Sequence, residues 1–166
     1  MYTSGKVVKQ ELLAPGCHLL TIEQPKITAQ GRPGQFVMLK AWDRNDLVLP
    51  RPFSIHRFFP KEKSFQILYK VRGTGTALMS ELKSGDKVEL NGPHGNGVIF
   101  PATTKAIAIV GRGLGAAPLL AILEAAKTRK YRTMTFLSAH SRKLILQEAA
   151  YRAYSDLLSI ITDDHS

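Results

Sequence analysis

Arg51-Pro52-Phe53-Ser54, read together with Gly73-Thr74-Gly75-Thr76, decides how this 166-residue chain is interpreted. An arginine fork pairs bidentately with a diphosphate, and a phenylalanine can lie against a flat ring system whose edge a serine hydroxyl meets. A glycine-threonine turn opening a helix adds backbone amides and a hydroxyl for the same diphosphate. On neighbouring strands of a small barrel the two stretches supply what a dinucleotide with a planar ring needs. Each half has a plainer reading. Taken alone, the first suits a strand after Pro50 with Phe53 in the core and Arg51 exposed, and the second suits a capped turn.

Outward from these stretches, residues 6 to 89 alternate short β-branched and aromatic segments with turn signals. His18 to Glu23, Gln35 to Lys40, Phe53 to Arg57, Ser64 to Val71 and Lys87 to Leu90 read as strands. Pro25 and Gly31-Arg32-Pro33-Gly34 read as breaks, Thr76 to Leu82 as a helix, and Asn91 to Gly97 as a turn. Short antiparallel strands at this spacing favour a barrel or sandwich. Tyr69 and Lys70 are candidates to flank an adenine, although a strand tyrosine is more often packing.

The pattern then changes. Ala106 to Val110, Thr133 to Ser138 and Leu157 to Thr162 read as strands, with helices over Ala117 to Lys130 and Arg142 to Tyr154 between them. This βαβαβ order implies a parallel sheet with right-handed crossovers. The expected division is 1–100 for the barrel and 101–166 for the α/β part. Three parallel strands fall short of the usual sheet, which leaves the second part incomplete or covered by a partner.

Gly111-Arg112-Gly113-Leu114-Gly115-Ala116-Ala117-Pro118 joins the first parallel strand to its helix. Glycines at a strand-to-helix turn admit a diphosphate to the positive end of the helix, and Pro118 suits a first helical turn. The spacing is GxGxG and not the GxGxxG fingerprint, so a ligand-free turn also fits. No acidic residue follows the second strand to hold ribose hydroxyls; Ser141 and Arg142 stand there instead, suited to a 2′-phosphate or to solvent.

Composition limits the alternatives. Apolar residues make up 44% and charged residues 22%, as in ordinary globular proteins. The longest apolar runs are far too short to span a bilayer and the N-terminus lacks a signal pattern, so a cytoplasmic protein away from membranes is expected. One cysteine, Cys17, and five scattered histidines offer no metal or iron–sulfur ligand set. The net charge of +10 is spread along the chain, with 14 basic against 8 acidic residues over 1–100 and 9 against 5 over 101–166. Without a nucleic-acid motif, that spread fits nucleotide phosphates or an acidic partner better than nucleic acid.

The ordered set Pro33-Gly-Gln-Phe-Val-Met-Leu39, Arg51-Pro-Phe-Ser-Ile55, Leu68-Tyr-Lys-Val71, Gly73-Thr-Gly-Thr76, Gly85-Asp86, Gly92-Pro-His-Gly-Asn-Gly97, Gly111 to Leu119 and Thr162-Asp-Asp164 resembles the ferredoxin reductase-like flavoproteins, and within them the electron-transfer subunits of dihydroorotate dehydrogenase. The resemblance implies a six-stranded antiparallel Greek-key FAD-binding barrel followed by a partial parallel-sheet nucleotide-binding domain. It implies that Arg51, Pro52, Phe53, Ser54, Leu68, Tyr69, Lys70, Gly73, Gly75 and Thr76 hold FAD, with Ser54 at the reactive N5. It further implies that Gly111, Arg112, Gly113, Gly115, Ala116 and Pro118 lie under NAD(P)H, and that hydride passes to FAD and electrons to a catalytic partner subunit. Against the family pattern, Arg112 and His165 replace glycines, and the cysteine-rich iron–sulfur segment is absent from this chain. The expected function is therefore a flavoprotein electron-transfer subunit of shortened form, with a partner subunit or a homo-oligomer. The competing expectation is a non-catalytic scaffold that keeps the barrel without flavin.

Overall fold

The computed structural model describes residues 2–42 and 47–165. Its first part is one antiparallel sheet built from β1 (Tyr2–Ala14), β2 (Cys17–Glu23), β3 (Phe36–Lys40), β4 (Arg51–Ser54), β5 (Arg57–Phe59), β6 (Ser64–Lys70) and β7 (Lys87–His94). The strand order is β4-β3-β7-β1-β2-β6-β5. β1 serves two neighbours, pairing Tyr2 to Lys6 with β7 and Lys6 to Ala14 with β2, and irregularities near Val7/Lys9 and Leu12/Ala14 bend it between them.

The two edge strands, β4 and β5, are consecutive in the chain and separated only by Ile55 and His56. The Ile55 amide donates to Gln35 O at 3.0 Å on the β3 side, and the His56 amide donates to Gln66 O on β6 at 2.8 Å. One bent segment thus joins both edges and curls the sheet into a barrel-like form, in which β4 and β5 remain the two ends of the strand order. Counted as a single strand, it gives the expected six; the expected Phe53 to Arg57 strand is interrupted where its pairing changes sides. Inside lie Val7, Leu20, Ile22, Val37, Leu39, Ile55, Phe65 and Ile67.

Two short helices accompany this sheet, α1 (Pro25–Gln30) and α2 (Thr74–Ser80). α1 stands where Pro25 reads as a break in the sequence. Proline at the first helical position is compatible with a helix, and the buried Gln24 side chain caps it by accepting from the amides of Lys26 at 2.8 Å and Ile27 at 3.2 Å. The expected turn at Asn91 to Gly97 is in part strand, since β7 continues to His94.

The second part is a parallel sheet of β8 (Ala106–Arg112), β9 (Arg132–Ala139) and β10 (Leu157–Thr162), ordered β10-β9-β8. α3 (Leu119–Thr128) and α4 (Glu148–Tyr154) cover one face, enclosing Ile109, Leu120, Leu123, Leu137 and Tyr151. The other face is bare, with Val110 76% and Ile161 68% exposed. The expected single helix over Arg142 to Tyr154 is broken into a 3-10 turn at Arg142–Leu144 and α4. Gln147 takes a left-handed φ of 60° there, and Leu146 packs with Leu19, Leu68 and Ala117 between the two sheets.

Ile55→Ala is expected to destabilise the barrel by about 2 to 5 kcal/mol, because its fully buried side chain sits at the seam. Urea unfolding followed by the fluorescence of Trp42, the sole tryptophan, measures this.

Candidate functional site

A cleft of about 710 Å3 opens where the seam meets the second part. β4 contributes Arg51, Pro52, Phe53 and Ser54, β6 contributes Leu68, Tyr69 and Lys70, and the approach to α2 contributes Arg72 with Gly73 to Thr76. Leu114, Gly115, Ala117 and Pro118 close the far wall. Cations line the cleft at Arg51, Lys70 and Arg72, and no carboxylate is among the described lining residues. Such a surface favours a polyanion.

Alternation along β4 leaves Pro52 and Ser54 exposed and Arg51 and Phe53 half-buried. Arg51 Nη1 donates to Leu49 O at 2.7 Å, and its guanidinium lies 5.9 Å from the centre of the Trp42 ring. Its guanidinium carries five N–H donors in a planar fork, the geometry that pairs bidentately with an anion. Phe53 meets Tyr69 edge-on at 5.8 Å, and Tyr69 stacks on His18 at 5.5 Å. Gln10 Nε2 donates to the Tyr69 hydroxyl at 2.7 Å and to Met79 O at 3.0 Å. Burial pushes the Tyr69 phenol up to about 12, with the Gln10 hydrogen bond opposing, so it stays protonated at neutral pH.

At the start of α2 the Thr76 hydroxyl accepts from the amides of Arg72 at 2.8 Å and Gly73 at 3.1 Å, and donates to Gly73 O at 2.9 Å. It shapes the turn, and its proton is directed inward to the backbone. What the turn offers to the cleft is the amides of Thr74, Gly75 and Thr76, which have no intrahelical carbonyl to pair with. Glycine is required at 75 for space: a Cβ there would come within 2.8 Å of the Trp42 ring.

The glycine-rich turn divides. Gly115 and Pro118 line the cleft, whereas Gly111, Arg112, Gly113 and Ala116 do not. Gly111 is needed for packing, since a Cβ would meet Ala116 Cβ at 2.8 Å. Arg112 reaches across the ends of the parallel strands and forks Asp163, with nitrogen–oxygen distances of 3.1 and 2.7 Å. His140 Nδ1 approaches the same carboxylate at 3.4 Å. The Arg112 hydrogen bond, foremost, holds the Asp163 carboxyl below its usual range. Arg142, the candidate for a 2′-phosphate, forks Glu148 at 3.1 and 2.8 Å.

The contacts joining the two parts had no sequence signal of their own. His56 is fully buried and its Nδ1 lies 2.5 Å from Ala117 O. Arg57 Nε meets Glu124 Oε1 on α3 at 2.5 Å, and its Nη2 donates to the Tyr154 hydroxyl at 2.9 Å. Burial pushes the Glu124 carboxyl up, with Arg57 opposing. Tyr151 donates to Ala116 O at 2.6 Å, and burial raises its phenol further than that of Tyr69.

Among solved structures, the NADH-dependent reduced ferredoxin-NADP oxidoreductase shares the fold at a TM-score of 0.86 and 27% identity, over 96% of this chain and 56% of that one. The Plasmodium falciparum ferredoxin-NADP+ reductase does so at 0.78 and 16%, over 97% and 69%. The fold is that of the ferredoxin reductase-like flavoproteins. In sequence the chain is similar to the electron transfer subunits of dihydroorotate dehydrogenase B (NAD(+)). It is 32% identical to that of Desulforamulus reducens over 98% of this chain, and 32% identical to that of Enterococcus faecalis over 96%. It spans 62% and 61% of their respective lengths. No family model matches the chain.

Thr76→Val is expected to destabilise the protein by about 1 kcal/mol through loss of both amide contacts, while Thr76→Ser stays close to wild type. Thermal unfolding of the three proteins side by side checks this.

Proposed function

We propose that the cleft binds FAD and that the chain is a flavoprotein electron-transfer subunit. The observation that carries this reading is a cleft lined by Arg51, Lys70 and Arg72 and by the first residues of α2, next to the Phe53 and Tyr69 rings. The lining fits the group: cations and amides suit its diphosphate, and the aromatic pair suits its ring system. Similarity to the dihydroorotate dehydrogenase B electron transfer subunits supports it from an independent side.

In this reading Arg51 and the amides of Thr74 to Thr76 fix the diphosphate, with Pro52 and Gly73 leaving the backbone close to it. Leu68, Tyr69 and Lys70 flank the adenosine, Phe53 lies on the ring and Ser54 offers a hydrogen bond to its N5. FAD when bound supplies acceptance of a hydride from NAD(P)H and release of electrons one at a time. The protein's part is to orient the ring and keep water from its inner face. Gly115 and Pro118 present the second part to the cleft, which is where a nicotinamide ring would approach. For Arg112 or Arg142 to reach the dinucleotide phosphates, each has to exchange its carboxylate partner for them. Solvent-exposed ion pairs of this kind contribute little and exchange at small cost. A catalytic partner subunit then receives the electrons, and the pathway implied is pyrimidine biosynthesis in the cytoplasm. Among the described residues no helix is long and apolar enough to cross a membrane.

Purified protein titrated with FAD should show a bound-flavin band near ~450 nm and saturable binding, weakened about tenfold or more in Arg51→Ala. Protein that takes up no FAD overturns the reading and favours a flavin-free scaffold. Bleaching of the bound flavin by NADH or NADPH in stopped flow checks the second half of the proposal.

A further inference from the structure

His56 stands two residues beyond Ser54 on the segment that bridges the barrel seam, and it faces the second part of the molecule. Its ring is fully buried, and Nδ1 is within hydrogen-bond distance of Ala117 O, a residue of the cleft's far wall. The acceptor is a carbonyl, so Nδ1 carries the proton and donates. Nε2 is buried without a partner among the described residues, so a proton placed there would have no acceptor. The neighbouring Ala116 carbonyl is capped by the Tyr151 hydroxyl. Two consecutive carbonyls at the entrance to α3 are therefore pinned from opposite sides, one by the barrel and one by α4.

We propose that His56 is the positioning residue that seats the glycine-rich turn against the flavin cleft. The role rests on the FAD reading above, while the contact itself can be tested without flavin. Because His56 follows Ser54 directly through Ile55, movement of the turn relative to the ring-binding strand is coupled to this one hydrogen bond. Arg57, next in the chain, ties down α3 and α4 through Glu124 and Tyr154, so the turn and both helices are fastened to adjacent residues.

The surroundings disfavour a charged imidazole. Burial, foremost, lowers its pKa, and Arg57 adds repulsion against the opposing hydrogen bond from Ala117. Of the other titratable groups on the elements meeting here, Glu124 on α3 is already bonded to Arg57. Tyr151 and Tyr154 on α4 bond Ala116 O and Arg57, and His18 on β2 and Tyr69 on β6 stack on each other. The folded pKa lies below the ordinary 6.5, so the contact's stabilisation is present above pH 6.5 and is lost as pH falls below it.

The test compares wild type, His56→Asn, whose amide reproduces the Nδ1 donor without titrating, and His56→Leu. Amide hydrogen exchange at Gly113 to Ala117 is measured at pH 7.5 and 5.5 after correction for intrinsic rates, together with the FAD dissociation constant. Exchange at the turn should rise about tenfold in His56→Leu at both pH values, and in wild type only at pH 5.5, with His56→Asn protected at both. FAD binding should weaken about tenfold in His56→Leu and recover to within about twofold of wild type in His56→Asn. Turn exchange and FAD affinity unchanged in His56→Leu would overturn the proposal, as would an Asn variant as impaired as Leu. If wild type binds no FAD, the flavin reading fails, and the exchange pattern alone decides whether His56 seats the turn.

Discussion

The nine residues Arg51 to Phe59 belong to both edges of one sheet, and the rest of the molecule depends on that double membership. An open antiparallel sheet of this length would expose a row of unpaired amides and carbonyls on either side. Here the exposed edges are the two halves of a single bent segment, fastened through Ile55 to Gln35 O and through His56 to Gln66 O. The curl of the sheet, the cleft and the junction with the second sheet all meet at the same bend. Before it, Arg51 to Ser54 line the cleft; at and after it, His56 and Arg57 hold the parallel sheet in place.

That arrangement determines what the cleft can do. Its cations come from two stretches, Arg51 on β4 and Lys70 with Arg72 where β6 runs into the turn before α2, and the fold brings them to one cleft. On the proposed reading, a diphosphate entering between Arg51, Lys70 and Arg72 would offset the like charge gathered in the lining. Phe53 packs edge-on against Tyr69, which His18 and Gln10 brace in turn. In the second part the opposite holds: Arg112 and Arg142 have carboxylate partners on the surface, and the sheet face bearing Val110 and Ile161 is bare.

Much of this was legible in the sequence where function rests on short-range chemistry. Arg51 to Ser54 and Gly73 to Thr76 carry their meaning in residue type and order, and the structure brings them to one cleft with Leu68 to Lys70. The βαβαβ order is legible for the same reason, because burial imposes periodicity. What was hidden depends on partners far away in the chain. His56 looks like an interior strand residue until Ala117 O is beside it, and backbone carbonyls have no sequence signature. Arg57 finds Glu124 only through tertiary packing, and Arg112 meets Asp163 only because β8 and β10 flank β9. The helix after Pro25 was missed since its cap is a glutamine, a residue type rarely used there. The break at Gln147 has no turn residue to announce it, and it falls beside Leu146, which packs between the sheets.

A crystal structure of the protein grown with FAD tests the central claim most directly. The account predicts the diphosphate within about 3 Å of Arg51 and of the Thr74 to Thr76 amides, the ring system against Phe53, and the Ala117–His56 contact intact beside it. Flavin bound elsewhere, or a diphosphate that bypasses Arg51 and the start of α2, would contradict it.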